Sequence, residues 1–351
     1  MPPDMEGLNY TPYHMHSYDS LLDSCTKFSD YVDLAVEAGM KAIASTEHGI
    51  PRSWVSKKMY CDQKGIKFMH GVEIYLTEQL EPKVRDNYHT ILIARNDAGR
   101  AELNRLIKLS SDEAHTYYKN RLSFDEFLSI SDNIIKTSAC LGSPLSQLPD
   151  DHPRYLELAR HYDFLEVQPH LCQEQVDYNR RLVDLAQKIH KPLIAGTDTH
   201  SSSEYKAACR KMLIVRKRKK KKKSEEENKD DFDTDFDMTW KTVNQLVSMF
   251  DQQGALTKEQ YIEAIENTNR MADMVEDFEL DRSIKYPILY GSREMDSQKF
   301  DELIGRKLKE KLDAGVIPRS QEAAFISAMN EELRVFRKLN MDGLAYSSGV
   351  Q

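Results

Sequence analysis

Through the first two hundred residues, short apolar runs alternate with stretches whose apolar positions recur at roughly helical spacing. Residues 10–15 read as a strand, and residues 28–38 place Phe28, Tyr31, Val32, Leu34, Ala35 and Ala38 at helical intervals, with Gly39 set to end the helix. Residues 42–46 form a short apolar strand, and a helical stretch through Tyr60 leads into a second strand over 67–75, interrupted by Gly71. The alternation continues with strands at 89–94, 133–138, 164–168 and 193–196 and helices at 98–110 and 173–190. Strand, helix, strand at short intervals predicts an α/β fold with a parallel sheet, and this many units favours closure into a barrel over an open doubly wound sheet.

The pattern breaks at Arg216. Every residue from Arg216 to Lys223 is basic, and the next fourteen, through Asp237, carry eight carboxylates and one lysine. Segment 216–237 reads as a solvated, locally neutralised insertion, with a DNA-contacting arm as the alternative use of the same cations. Beyond it the chain turns helical: residues 239–250, 258–278, 296–314 and 321–339 repeat apolar positions at helical intervals, with breaks at Gly254, Pro287, Gly291 and Pro318. The last ten residues hold two glycines and no cap signal, as expected of a chain that stops inside a larger design.

Composition narrows the function classes. A chain of 351 residues, 40% hydrophobic and 30% charged, is long enough for a sizeable core. No window approaches the ~20 apolar residues of a membrane span, and the N-terminus lacks a secretory pattern, so no membrane is expected and the cytoplasm is the default compartment. A net charge of −8 disfavours a nucleic-acid reader built on bulk charge. Cys25, Cys61, Cys140, Cys172 and Cys209 include no close pair, which argues against disulfides and zinc ribbons.

The chemistry lies in where the histidines fall. His14 and His16 flank Met15 on a strand end, so both imidazoles face one side, and Asp198 and His200 repeat the arrangement after a later strand. His48, Glu73, His89 and Cys140 also sit at or beside strands, whose C-terminal ends converge on one mouth in a parallel barrel. Imidazole, carboxylate and thiolate together suit zinc, iron or manganese, exceed the needs of one structural zinc, and match activation of water toward a phosphoester. Arg52, Lys57 and Lys58 follow the His48 turn and could hold a phosphate, or equally form a solvated helix face. His70, His115, His152, His161, His170 and His190 fall outside these strings and are assigned solvated or hydrogen-bonded surface roles; the remaining cysteines read as ordinary thiols.

Six strings carry a resemblance: His14-Met15-His16-Ser17 with Leu21-Leu22-Asp23, Thr46-Glu47-His48-Gly49, Gly71-Val72-Glu73-Ile74-Tyr75, Tyr88-His89, Ser138-Ala139-Cys140-Leu141-Gly142 and Thr197-Asp198-Thr199-His200. Their order resembles the PHP (polymerase and histidinol phosphatase) domain, and within it the N-terminal part of bacterial-type DNA polymerase III alpha subunits, from about Tyr10 to Ala345. The resemblance implies a distorted (β/α)7 barrel over residues 8–285, with the charged insertion, and a helical start of the polymerase palm over 286–351. It implies two to three divalent ions (Zn, Mn or Fe): His14, His16, Glu73 and Asp198 for the first, Glu73, His89 and Cys140 for the second, Asp23, His48 and His200 for the third. His14, His16, Glu73 and Asp198 would also be the catalytic set.

Glu47 stands where the family usually has Asp, beside the ligands. The implied activity is phosphoester hydrolysis, as a 3′–5′ exonuclease on the 3′ end of DNA, with the remaining polymerase chain and replisome proteins as partners. The nucleotide loop and paired palm aspartates have no counterpart here, so polymerisation by this chain alone is not implied. The alternatives are a metal-stabilised scaffold without turnover and a free-standing phosphatase of the histidinol-phosphate type.

Overall fold

The computed structural model describes residues 7–221, 236–283 and 285–349. The chain divides into two compact units, Met1–Glu279 and Leu280–Gln351. In chain order the first contains α1 (Phe28–Glu37), β1 (Ala42–Ser45), α2 (Trp54–Lys64), β2 (Lys67–Thr77), β3 (Tyr88–Ala94), α3 (Asp97–Ser110), β4 (Thr116–Tyr117), β5 (Lys119–Ser123), α4 (Phe124–Leu128), β6 (Ile134–Thr137), α5 (Pro144–Gln147), α6 (Tyr155–His161), β7 (Leu165–Val167), α7 (Gln173–Ile189), β8 (Leu193–Ala195), α8 (Glu204–Lys221), α9 (Val243–Gln253) and α10 (Lys258–Met274). Local chemistry sets several of the ends. Thr242 with Gln245 and Thr257 with Gln260 form reciprocal caps that start α9 and α10, and Gly254 closes α9 in the left-handed conformation.

The mixed α/β class follows the sequence pattern, but the sheet is not uniformly parallel. β2 pairs parallel with β1 and β5, whereas β3 runs antiparallel to both β2 and β6. Residues 78–87, between β2 and β3, hold no helix; a parallel return needs a crossover of roughly a dozen residues or more, so the chain doubles back instead. β7 and β8 form a separate parallel pair. Single bridges join Thr137 to Phe164 and Met15 to Thr199. The strand expected at 10–15 is reduced to that one bridge at Met15, because its neighbours bond to side chains and loops: Thr11 N–H donates to Thr268 Oγ1 and Met15 N–H to Thr46 Oγ1.

The alternation of side chains along these strands positions the site. One face of β2 and β3 packs Phe68, Val72, Ile74 and Leu92 into the large apolar cluster shared with the helices. The other face contributes Met69, Ile91 and Ile93 to a second cluster with Ala44, Phe164, Ile135 and Ile194. Stepping two residues along each strand from this apolar floor reaches polar positions: Met69 to Gly71 to Glu73, Ile91 to His89, Ala44 to Thr46 to His48, Ile194 to Gly196 to Asp198, and Phe164 to Glu166. The period of two therefore delivers candidate ligands from four chain segments to one side of the floor, with Glu166 of a fifth segment facing the same way.

Of the expected insertion, the backbone of 216–221 continues α8 rather than looping out, and 222–235 lie outside the described residues. The second unit contains α11 (Arg293–Asp313), α12 (Glu322–Lys338) and α13 (Asp342–Gly349). Phe300 meets Phe336 edge-on at 5.6 Å, and buried Asp296 accepts the backbone N–H groups of Leu289 and Tyr290. The C-terminal segment without a cap signal is helical in α13, its two glycines notwithstanding, because it packs against α11.

Candidate metal centre

The nine residues singled out from the sequence lie together. His14 Nε2 is 3.0 Å from Glu73 Oε2 and 3.1 Å from Asp198 Oδ1; His16 Nε2 is 3.2 Å from each of the same two oxygens. One ligand atom from each of these four buried residues lies within 4.8 Å of every other. The second carboxylate oxygen of Glu73 faces the rest of the centre, 3.1 Å from His48 Nδ1 and 2.9 Å from His89 Nδ1. Cys140 Sγ stands 3.6 Å from that same His89 nitrogen. Asp23 Oδ2 joins His48 Nε2 at 2.8 Å and His200 Nε2 at 3.0 Å.

The lone pairs themselves test whether a cation fits. His14 Nδ1 contacts Glu166 Oε1 at 2.6 Å, which leaves Nε2 as the atom facing Glu73 and Asp198. His16 Nε2 and Asp198 Oδ1 are buried and make no hydrogen bond. Acceptor atoms crowded this closely repel one another unless protons or a cation lie among them, and two imidazoles with two carboxylates form a donor set suited to Zn, Mn or Fe.

The electrostatics show the same demand. Burial opposes charge on His48, yet Glu73 and Asp23 hold its imidazole up to about 10. Burial likewise opposes the Glu73 and Asp198 carboxylates, but the surrounding imidazoles keep both well below the usual carboxylate range. His16 is lowered by burial and by the neighbouring His48 and His200. Burial, then Asp198 and Glu73, push the Cys140 thiol up, so a nearby cation is what would favour its thiolate.

Backbone geometry contributes. Leu22 (φ 62°), Ala139 (φ 57°) and Asp198 (φ 45°) occupy the left-handed region without being glycine, each at or next to a candidate ligand. Such positions cost on the order of 1 kcal/mol or more and cluster at functional sites. Gly142 is needed for space: a Cβ there would lie 2.7 Å from the His89 ring.

Of the supporting layer, the sequence reading placed Glu47 beside the ligands and missed the rest. The Glu47 carboxylate accepts hydrogen bonds from Ser17 and Ser20 hydroxyls and from Lys57 Nζ, each at 2.6 Å, Ser20 Oγ in turn accepts the His48 backbone N–H at 3.1 Å, and Lys57 and His16 help hold the Glu47 carboxyl down to about 2. Lys57 is therefore buried against Glu47 and Asp19, and Lys58 against Asp62 and Asp277, so neither is free to hold a phosphate; Arg52 is exposed. Arg210 of α8 grips Asp23 through its carbonyl at 2.7 Å and Oδ1 at 3.0 Å. Glu166, a carboxylate inside an apolar strand, was the legible signal among these.

Three histidines assigned to the surface are buried: His70 against Trp54, His115 between Asp112 and Glu126, and His170 beside Phe236. Each sits on or beside a packed element whose aromatic or acidic neighbours give the ring a burial site.

Residues 12–170 match the PHP domain family, and the chain carries a PHP domain. Its sequence is similar to DNA polymerase III subunit alpha of Borreliella burgdorferi, 30% identical over 284 residues that cover 76% of this chain and 24% of that protein. The same subunit of Aquifex aeolicus is 30% identical over 214 residues, covering 55% of this chain and 18% of the relative. The chain thus spans about a quarter or less of the length of these relatives. Among solved structures, a two-domain protein of Bacteroides vulgatus described as containing a PHP-like metal-dependent phosphoesterase aligns over 54% of this chain and 52% of its own, at TM-score 0.37 and 16% identity. An amidohydrolase of Chromobacterium violaceum aligns over 56% of this chain and 89% of its own, at TM-score 0.37 and 13% identity.

Proposed function

We propose that this chain acts as the PHP portion of a replicative DNA polymerase alpha subunit in the bacterial cytoplasm, and that its metal centre hydrolyses phosphoesters as a 3′–5′ exonuclease on DNA. The observation that carries the reading is the convergence of His14, His16, Glu73 and Asp198, with Glu73 turning its other oxygen to His48 and His89. His14, His16, Glu73 and Asp198 would hold one divalent ion; Glu73, His89 and Cys140 a second; and Asp23, His48 and His200 a third. Divalent cations in such a site neutralise phosphoryl oxygens and make water more acidic.

The protein's own contribution is positioning and access. His14, His16 and Glu73 are fully buried, whereas the side chains of His48, His89 and Asp23 are 20%, 23% and 16% exposed. A phosphodiester must approach from that exposed side, with Glu73 linking it to the enclosed side. The remaining polymerase chain and replisome proteins are the partners this reading assigns. Among the described residues no helix is long and apolar enough to cross a membrane.

The test is digestion of a 3′-labelled single strand with and without Mn2+, by wild type and Asp198→Asn. Mn2+-dependent digestion lost in the variant is the expected result. Bound metal without digestion would make the domain a metal-stabilised scaffold. Turnover of histidinol phosphate, with none on DNA ends, would make it a small-molecule phosphatase.

A further inference from the structure

We propose that Glu166 is a positioning residue for the metal centre: a buried carboxylate that holds His14 with Nδ1 protonated and Nε2 presented to a divalent cation. The inference rests on the metal reading above and adds a residue outside the nine.

Glu166 lies on β7, opposite Ile194 of β8, and is completely buried. Its strand position is two residues beyond Phe164 of the apolar floor, so the pleat turns it inward, beneath the ligands. Both oxygens are engaged. Oε1 receives His14 Nδ1 and the Gln168 amide, each at 2.6 Å, while Oε2 receives the Tyr13 hydroxyl at 2.8 Å and the Thr137 hydroxyl at 3.4 Å. With three side chains besides His14 holding it, the carboxylate cannot rotate away from the imidazole.

Two further observations set Glu166 apart from an ordinary buried acid. None of these four contacts is a lysine or arginine, so among them His14 is the one that can carry positive charge, and a buried charge without a counter-charge is strongly unfavourable. The chain also clears space for it: a Cβ on Gly196 would lie 2.2 Å from Glu166 Oε1 and 2.4 Å from its Cδ. Gly196 has no left-handed φ, so room for the carboxylate is the reason for glycine there. A carboxylate on the far nitrogen fixes the ring plane and tautomer of a ligating histidine and raises its basicity.

The experiment is Zn2+ titration of the whole chain against a competing chelator, for wild type, Glu166→Gln and His14→Ala, with folding checked by circular dichroism. The expected result is one Zn2+ step weakened roughly 10- to 100-fold in Glu166→Gln, the other steps unchanged, and that same step lost in His14→Ala. In the Zn2+-loaded wild type, the His14 Nδ1 proton should resonate far downfield and move upfield in Glu166→Gln, a signature that packing alone would not give. Equal Zn2+ affinity in wild type and folded Glu166→Gln would overturn this inference and leave the metal reading standing. Wild type that takes up no Zn2+ would overturn both. Should Glu166→Gln fail to fold, Glu166→Asp, which keeps the charge but withdraws it from Nδ1, is expected to show the same weakening, and unchanged affinity would again overturn the inference.

Discussion

The two halves of the candidate metal centre are built to different standards. The enclosed half, His14, His16, Glu73 and Asp198, is buried and braced from behind by Glu166, Glu47 and the Ser17 and Ser20 hydroxyls. The open half, Asp23, His48, His89 and Cys140, is partly exposed and comes from loops and strand ends, Asp23 held by Arg210 and His89 accommodated by Gly142; His200, buried and stacked on His16 at 4.4 Å, connects the two halves through Asp23. Buried ligands beside an accessible rim are the arrangement that the proposed metal-dependent hydrolysis calls for.

The largest expected effect tests the enclosed half. Asp198→Asn should weaken metal binding and any phosphoester hydrolysis by more than about 100-fold, beyond the loss typical of supporting residues; isothermal titration with Mn2+ would check it. A change no larger than that of an open-half variant would erase the distinction.

The bracing layer comes next. Lys57→Met leaves the Glu47 carboxylate buried without its cation and should cost about 3–5 kcal/mol, read as a lowered denaturation midpoint at pH 7. An unchanged midpoint would mean the loop carrying His16 and Ser20 is held by other means.

His70 separates scaffold from site. It lies on β2 three residues before Glu73, tilted against Trp54 with ring centroids 4.8 Å apart, and burial, then Arg100 and Lys57, pull its imidazole down to about 4. Its folded-state value is depressed below the ordinary ~6.5, so the neutral ring's stabilisation is complete above pH 6.5 and is lost as pH falls toward 4, up to about 3 kcal/mol. His70→Phe should flatten that part of the stability–pH curve without altering metal content at pH 7.5; an unaltered curve would locate the acid sensitivity elsewhere.

Smallest is Cys140→Ser in the open half. It should lower affinity at one ion by about 10-fold or more and shift preference from zinc toward manganese, since the thiolate is the softest candidate ligand. Elemental analysis after mixed-metal dialysis reads this, and an unchanged ratio would remove Cys140 from the ligand set.

The difference between the halves also explains what the sequence made legible. The nine candidate ligands announce themselves because His, Asp, Glu and Cys at strand ends are chemically conspicuous and the strings keep a recognisable order. Most helices were legible from spacing and caps. What stayed hidden depends on long-range geometry: Arg210 reaches Asp23 across 187 positions, and Glu166 reaches His14 across 152. Lys57 and Lys58 looked solvent-facing because their partners Asp19 and Asp277 are distant in sequence. The antiparallel course of β3 depended on a connection without a helix, and left-handed φ at Leu22 and Ala139 has no residue-type signal.

The measurement that bears most directly on the centre is elemental analysis of gently purified protein, wild type beside Asp198→Asn. About two to three transition-metal ions per chain are expected in wild type, as the donor sets imply, and at least one fewer in the variant. Protein free of bound metal, folded and unchanged by Asp198→Asn, would contradict that expectation.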